Sequence, residues 1–474
     1  MNYKLSSIVF VATFLFGCSL TPEYTQPEFS AADQWSDITG YESLSGDALA
    51  AQTHWMEFFD SSEFHLVIST ALKNNRDLRI TALNIQEARA RYRIQRADLL
   101  PDLNANGLGT ISKSSDESSL TGSSEKSELY EANIGIASYE LDLFGKIRSN
   151  SESAVNSYLA TQEAHAVLRN ALIAETANAY LQLLANQKLL SLTRKTLKAQ
   201  QNTYNILSKS LEKGAATLQD VARASTAVRL AEVNLHQYSR LVTQDKNALF
   251  LLMGIPQSSM FLPEITLDDI KIKNNLDSGL PSKVLLARPD IRQAEFELRS
   301  RNADIGAARA AFFPSISLTG SYGFASRDLD DLFSSGAGGA WSFLPRVNLP
   351  IFNWGRNQAN LDIAEIRKEK AINNYEKVIQ IAFREVSDEL AARETLDKQL
   401  EAQRLLVSGA QTVYDLSEAR YNSGIDSFLS VLDAQRELYT YQQQEIQVER
   451  QRIANLVNLF KVLGGGSEPK ITAN

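Results

Sequence analysis

The sequence predicts a mainly α-helical fold with a smaller β part, written as two tandem copies of one pattern. Three observations carry this. Prolines are absent between Pro101 and Pro256 and again between Pro350 and Pro469. Proline removes an intrahelical donor and clashes with the preceding turn, so tracts without it can run as very long helices. Just after Pro101 and Pro314 the apolar spacing drops from a helical period to two, which reads as strand. Glycines, prolines and aromatics also recur in one order at a fixed distance, the mark of an internal repeat. Tyr204, Gly214, Val221, Phe250 and Gly254 precede Tyr414, Gly424, Val431, Phe460 and Gly464 by 210 residues. Arg96-Ala97 and Pro101 precede Arg309-Ala310 and Pro314 by 213. The copies span 62–254 and 279–464, with 255–278 inserted between them and a tail at 465–474.

At the N-terminus, Lys4 precedes an apolar run from Ile8 to Phe16 that is too short to cross a bilayer and matches a secretory signal. The run closes on Leu15-Phe16-Gly17-Cys18, which holds the only cysteine of the 474 residues and resembles a bacterial lipobox. The resemblance implies removal of 1–17, a diacylglyceryl thioether on Cys18 and an acylated segment over 18–61. Ser19, not Asp, follows the cysteine, so outer-membrane delivery is expected; a plain signal peptide is the alternative.

Each copy then reads helix, hairpin, very long helix, long helix. A first helix from Leu66 to Leu100, interrupted only by Asn74-Asn75, stops at Pro101; the same stop recurs at Phe313-Pro314. Strands are expected at about 101–112, 128–139, 314–326 and 339–349, where Ile316, Leu318, Tyr322 and Phe324 alternate with Ser315, Ser317, Thr319 and Ser321. The connections, 112–127 and 327–339, are polar or glycine-rich loops. Such strands fit a membrane barrel or a half-buried soluble sheet equally well. Four strands cannot close a barrel and an open edge is forbidden in lipid, so spanning would need several chains, eight strands from two or twelve from three.

From Arg356 to Tyr421 there are 66 residues with Gly409 the only glycine. At ~1.5 Å per residue that helix is on the order of 100 Å long, against a radius of gyration of ~20 Å for a globule of this size. Its successor carries Ile425, Leu432, Tyr439, Ile446, Ile453 and Phe460 at every seventh position, a coiled-coil seam with polar flanks.

Composition excludes other classes. A net charge of −8 offers no basic surface for nucleic acid. No apolar run reaches the ~18 residues of a spanning helix. His54, His65, His165 and His236 are scattered without metal-ligand spacing, and no nucleophile elbow or phosphate loop occurs, so neither enzyme, metal nor cofactor is expected.

At this point the chain resembles the TolC-like outer-membrane efflux proteins, in their lipoprotein branch. The likeness rests on Tyr139-Glu140-Leu141-Asp142-Leu143-Phe144-Gly145, Ala311-Phe312-Phe313-Pro314, Arg420-Tyr421-x-x-Gly424 and Val431-Leu432-Asp433-Ala434-Gln435. The resemblance implies a homotrimer, a 12-stranded outer-membrane β-barrel continued by a 12-helix periplasmic α-barrel, with an equatorial collar from 255–278 and 465–474. It further implies a periplasmic adaptor, an inner-membrane RND-type pump and surrounding outer-membrane lipid as partners, and passive export of drugs or other small solutes. Two other uses stay open: protein or peptide export by an ATP-driven exporter, and a non-conducting structural lipoprotein. By the family's motif, Asp433 supplies one carboxylate per chain to a cation-favouring ring at the periplasmic gate. The same resemblance implies that Tyr421 and Asp220 tie the moving helix pair to the static one in the closed state. Ser430 stands where some relatives have a second acid, and Asp426 where some have a base, so a link between Asp426 and Asp220 would become repulsion.

Overall fold

The computed structural model describes residues 19–27, 48–50, 53–113, 115, 126–257, 262–263, 265–273, 276–277, 288–334 and 339–466. The signal segment, Cys18 and residues 467–474 of the tail lie outside the described residues. In chain order the elements are β1 (Ala48–Leu49), α1 (Trp55–Phe58), α2 (Ser62–Asn74), α3 (Arg76–Ala97), β2 (Leu103–Lys113), β3 (Lys126–Leu141), α4 (Lys146–Glu212) and α5 (Leu218–Met253). After a short 3-10 turn at Leu267–Asp269 come β4 (Leu276–Asp277), α6 (Pro289–Ala310), β5 (Ser315–Ser326), β6 (Gly339–Asn348), α7 (Arg356–Asn422) and α8 (Phe428–Val462). The fold is mainly helical. Helices α4 and α7 each have 67 residues, about 100 Å of continuous helix. Among the described residues no helix is long and apolar enough to cross a membrane.

Two compact units make up the chain. The first combines Met1–Glu28, Ile85–Thr161 and Ala294–Tyr375, and holds a four-stranded antiparallel sheet in the order β2-β3-β5-β6. Its register sorts the side chains by polarity. Ile316 faces Val347, Gly320 faces Phe343 and Tyr322 faces Trp341, while Ser317 faces Arg346 and Ser321 faces Ser342. On the inner pairs Ile134 faces Tyr322, and Leu103 and Ala105 face Ile136 and Ile134. Since partners directly opposite share a face, one side of the sheet is mainly apolar and the other mainly polar, with Leu108, Leu129 and Leu344 as apolar members of the polar side. Among the described residues neither β2 nor β6 has an outer neighbour.

Strand β3 runs to Leu141, beyond the expected end at 139, because it contains a bulge between Ile136 and Tyr139. The extra residue, with Ser138 at φ 63°, re-phases the strand. Tyr139 and Leu141 thereby face Leu318 and Ile316 on the apolar side, and the Tyr139 hydroxyl donates to the Leu99 carbonyl at 3.0 Å. Asp142 then accepts from the amides of Ile147 and Arg148 at 2.9 and 3.0 Å, satisfying the orphan donors at the start of α4. Phe144 stacks on Phe313 at 4.7 Å, so the acidic-aromatic motif after the first hairpin is a helix start with its own cover.

Residues 19–27 lie along this same unit. Thr21 Oγ1 is 2.9 Å from Ser149 Oγ, Asn302 Nδ2 donates to the Pro22 carbonyl at 2.8 Å, and Gln26 Nε2 donates to the Tyr375 hydroxyl at 3.0 Å. The Arg299 guanidinium stands over the Tyr24 ring at 4.9 Å. Gly306 makes the approach possible, since a Cβ there would lie 2.3 Å from Thr21 Oγ1.

The second unit combines Phe29–Asn84, Gln162–Gln293 and Glu376–Asn474. An aromatic chain forms its centre: Phe58 stacks on Phe460 at 4.1 Å, Phe59 on Phe64 at 5.0 Å, and Phe64 meets Tyr180 edge-on at 5.3 Å. The inserted segment joins through the amide of Lys273, which donates to the Phe58 carbonyl at 2.9 Å, and through the parallel pairing of β1 with β4. The first helix is not continuous from 66 to 100. It breaks at Asn75, whose Oδ1 accepts from the Leu78 amide at 3.0 Å while its Nδ2 donates to the Leu252 carbonyl at 2.9 Å. Gly254 fits against that break at φ 65°; a Cβ there would lie 2.4 Å from the Asn74 carbonyl oxygen. The seven-residue seam of α8 is buried at Tyr439, Ile446, Ile453 and Phe460, but Ile425, ahead of the helix, is 63% exposed. Toward its end α8 also buries Leu456, Val457, Leu459 and Val462, a wider stripe than a coiled-coil seam.

Candidate functional site

The predicted gate residues lie where α4 turns into α5 and α7 into α8, all in the second unit. Both turns close alike. The Ala215 amide donates to the Ser210 carbonyl at 2.8 Å and that of Gly214 to Leu211 at 2.9 Å; Ile425 donates to Arg420 at 3.0 Å and Gly424 to Tyr421 at 2.9 Å. This paired 6→1 and 5→2 pattern requires a left-handed residue, supplied by Gly214 and Gly424 at φ 74° and 72°. Nothing lies within 4 Å of a Cβ at either glycine, so backbone conformation, not crowding, selects them.

Beyond the turns the two copies differ. Thr217 caps α5 in a reciprocal box: the Asp220 amide donates to Thr217 Oγ1 at 3.2 Å, and Asp220 Oδ2 accepts from the Thr217 hydroxyl at 2.6 Å and its amide at 3.2 Å. Asp220 is thus fully engaged in starting its own helix. Ser427 makes no such cap for α8. Instead Asp426 takes a bidentate grip from Arg420, Nε to Oδ2 at 2.6 Å and Nη2 to Oδ1 at 3.1 Å. Hydrogen bonding from that guanidinium holds the Asp426 carboxyl below its usual range. The partner of Asp426 is thus Arg420, within its own turn.

Tyr421 is held through its ring, edge-on to Phe428 at 5.2 Å. The two belong to a small apolar cluster joining both turns: Leu207, Ala224, Phe428 and Val431 are buried, with Tyr204, Val221, Tyr414, Tyr421 and Leu432 packed around them. Phe428 and Leu207 escape sequence reading because they stand off the seven-residue seam. The signal that could have found the cluster is Tyr204 over Tyr414, an aromatic kept at the same distance before each turn.

Asp433 lies one turn further along α8 and is half-exposed, with Arg436 Nη2 3.2 Å from its Oδ1. Exposed pairs of this kind are worth about 0–1 kcal/mol. The structure therefore brings Tyr421 and Asp426 to the turn, Asp220 to the cap of the neighbouring helix and Asp433 to a groove beside them. Each of the three acids meets a partner within its own helix or turn. Among the described residues no cluster of His, Cys, Asp and Glu could hold a metal ion.

Comparison with known proteins gives a consistent result. The family model described as outer membrane efflux protein matches residues 67–255 and 280–465. The toluene efflux pump outer membrane protein TtgC of Pseudomonas putida is 46% identical over 467 residues, covering 98% of this chain and 96% of that one. Outer membrane protein OprJ of Pseudomonas aeruginosa is 41% identical over 460 residues, 97% of this chain and 95% of that one. Among solved structures, the open state of the Neisseria gonorrhoeae MtrE outer membrane channel superposes with a TM-score of 0.86 at 38% identity, covering 95% of this chain and 98% of that one.

Proposed function

Because the chain belongs to the outer membrane efflux protein family, we propose that it is the outer-membrane channel of an efflux pump, an exit duct for small organic solutes. The carrying observation is the four-stranded sheet with one mainly apolar face, one mainly polar face and outer strands that have no further partner among the described residues. Apolar side chains outward and polar side chains inward suit a barrel wall between lipid and a water-filled lumen. An open edge in hydrocarbon leaves backbone groups unsatisfied, so the barrel is completed by further copies, and three copies give twelve strands. In this reading the two halves of each chain are tandem repeats whose long helices extend the barrel as a periplasmic tunnel. The tunnel meets a periplasmic adaptor and an inner-membrane pump. Solutes of the kind named for relatives, toluene and other solvents or antibiotics, are the candidate cargo. Cys18 carries the lipid, and the strap at 19–27 holds the chain beside it against the helices nearest the sheet. The turns around Tyr421 form the periplasmic gate, with Asp220, Asp426 and Asp433 at its rim.

Purified full-length protein is expected to run as heat-resistant trimers and to give discrete conductance steps in planar bilayers. Deleting the chain from its host sensitises cells to solvents and dyes while secretion of proteins continues. Monomers without conductance would overturn the duct, and a secretion defect without sensitisation would move it to protein export.

A further inference from the structure

The groove between α5 and α8 beside Asp433 encloses about 320 Å³, within the roughly 300–1,000 Å³ of small-molecule sites. We propose that it binds amphiphilic organic anions bearing an N–H or O–H donor. As a station on an export path the site rests on the efflux reading; as a binding site it stands on this chain alone.

Three features define the ligand. The walls are apolar: Leu230, Leu429 and Leu432 line the groove, and Leu230 stays 51% exposed, carbon surface that a ligand body would cover. The charge is positive. Arg223 and Arg436 line the groove against a single carboxylate, Asp433. Asp433 is answered by Arg436, whereas half-buried Arg223 has no ion pair among the described residues, leaving one cation in surplus. Guanidinium presents a planar fork suited to a carboxylate or sulfonate, and such charge-assisted bonds are about twice as strong as neutral ones. Finally, Gln200 on α4 is only 9% exposed and its Oε1 has no hydrogen-bond partner. A buried acceptor left without a donor is costly, so a ligand N–H or O–H reaching it gains what the chain leaves unmade. The family resemblance implies that Asp433 joins a cation-favouring ring of one carboxylate per chain. The groove itself, with Arg223 and Arg436 against Asp433, favours the opposite sign.

The test uses full-length protein in lipid nanodiscs and two probes of equal shape, N-acetyl-5-fluorotryptophan and its uncharged amide, followed by fluorine NMR. The acid should bind saturably and about tenfold more tightly than the amide. Arg223→Gln should weaken the acid about tenfold and erase that preference; Arg436→Gln, at an exposed position, should weaken it severalfold; Asp433→Asn should tighten it. Equal binding of acid and amide, absence of saturable binding, or an unchanged affinity in both arginine variants would overturn the proposal. Bilayer conductance on the same preparation separates the two readings. Conducting pores without the anion preference sink the site alone, and binding without conductance sinks the duct alone.

Discussion

At Thr217 and Asp220 a reciprocal cap stands where the family comparison suggested a link between helix pairs. Removing either partner should cost about 1 kcal/mol of local stability. Thr217→Ala should therefore speed amide exchange over 218–221 about fivefold with little change elsewhere. For Tyr421 the ring makes the contact on Phe428. Tyr421→Phe should leave single-channel conductance close to the parent value, and Tyr421→Ala should raise it; a rise in the Phe variant would show that the hydroxyl, not the ring, holds the gate. Glu389 offers a test by pH. Burial pushes its carboxyl above the usual range despite a hydrogen bond from Asn455 Nδ2 at 2.5 Å. A group raised in the fold contributes stability that is complete below its unfolded value of ~4.3 and is lost as pH rises through the folded value. Glu389→Gln should accordingly raise Tm at pH 7 and have no such effect near pH 3.

Among the elements, two glycines in the same left-handed conformation make different predictions. Gly214→Ala meets open space and should cost only the roughly 1–2 kcal/mol of a left-handed non-glycine residue. Gly254→Ala adds a clash with the Asn74 carbonyl and should lower Tm by clearly more than the Gly214 variant. The strands show what a sequence can and cannot reveal. Alternation after Pro314 exposes the two faces of β5, because Ile316, Leu318, Tyr322 and Phe324 alternate with Ser315, Ser317, Thr319 and Ser321. The bulge at Ile136–Tyr139 leaves no such trace, since one extra residue changes register without changing composition. The aromatic chain through Phe58, Phe64, Tyr180 and Phe460 was equally hidden: its members lie far apart in sequence and follow no common period. The groove of Gln200, Arg223 and Arg436 draws on three helices for the same reason. Gly214 and Gly424, in contrast, were legible as equivalent positions because they recur 210 residues apart, and the structure shows both in the left-handed conformation that closes a helix turn.

For the molecule as a whole, the facing of the sheet is the property to test. Cysteine at Val347 should resist a water-soluble maleimide in membranes and react with a lipid-soluble one, whereas cysteine at neighbouring Arg346 should show the reverse. Equal labelling by both reagents would mean that the sheet does not separate oil from water. The two bare rims of that sheet, along β2 and β6, also govern how a newly made copy must behave. Along each rim alternate residues, about five per strand, point amide and carbonyl groups outward that hydrocarbon cannot solvate. In the proposed barrel an orphan copy would have no resting place inside the bilayer, so entry into the membrane and recruitment of sister subunits would be a single event. On that proposal, cells that make one copy in excess would have to chaperone it in water or destroy it.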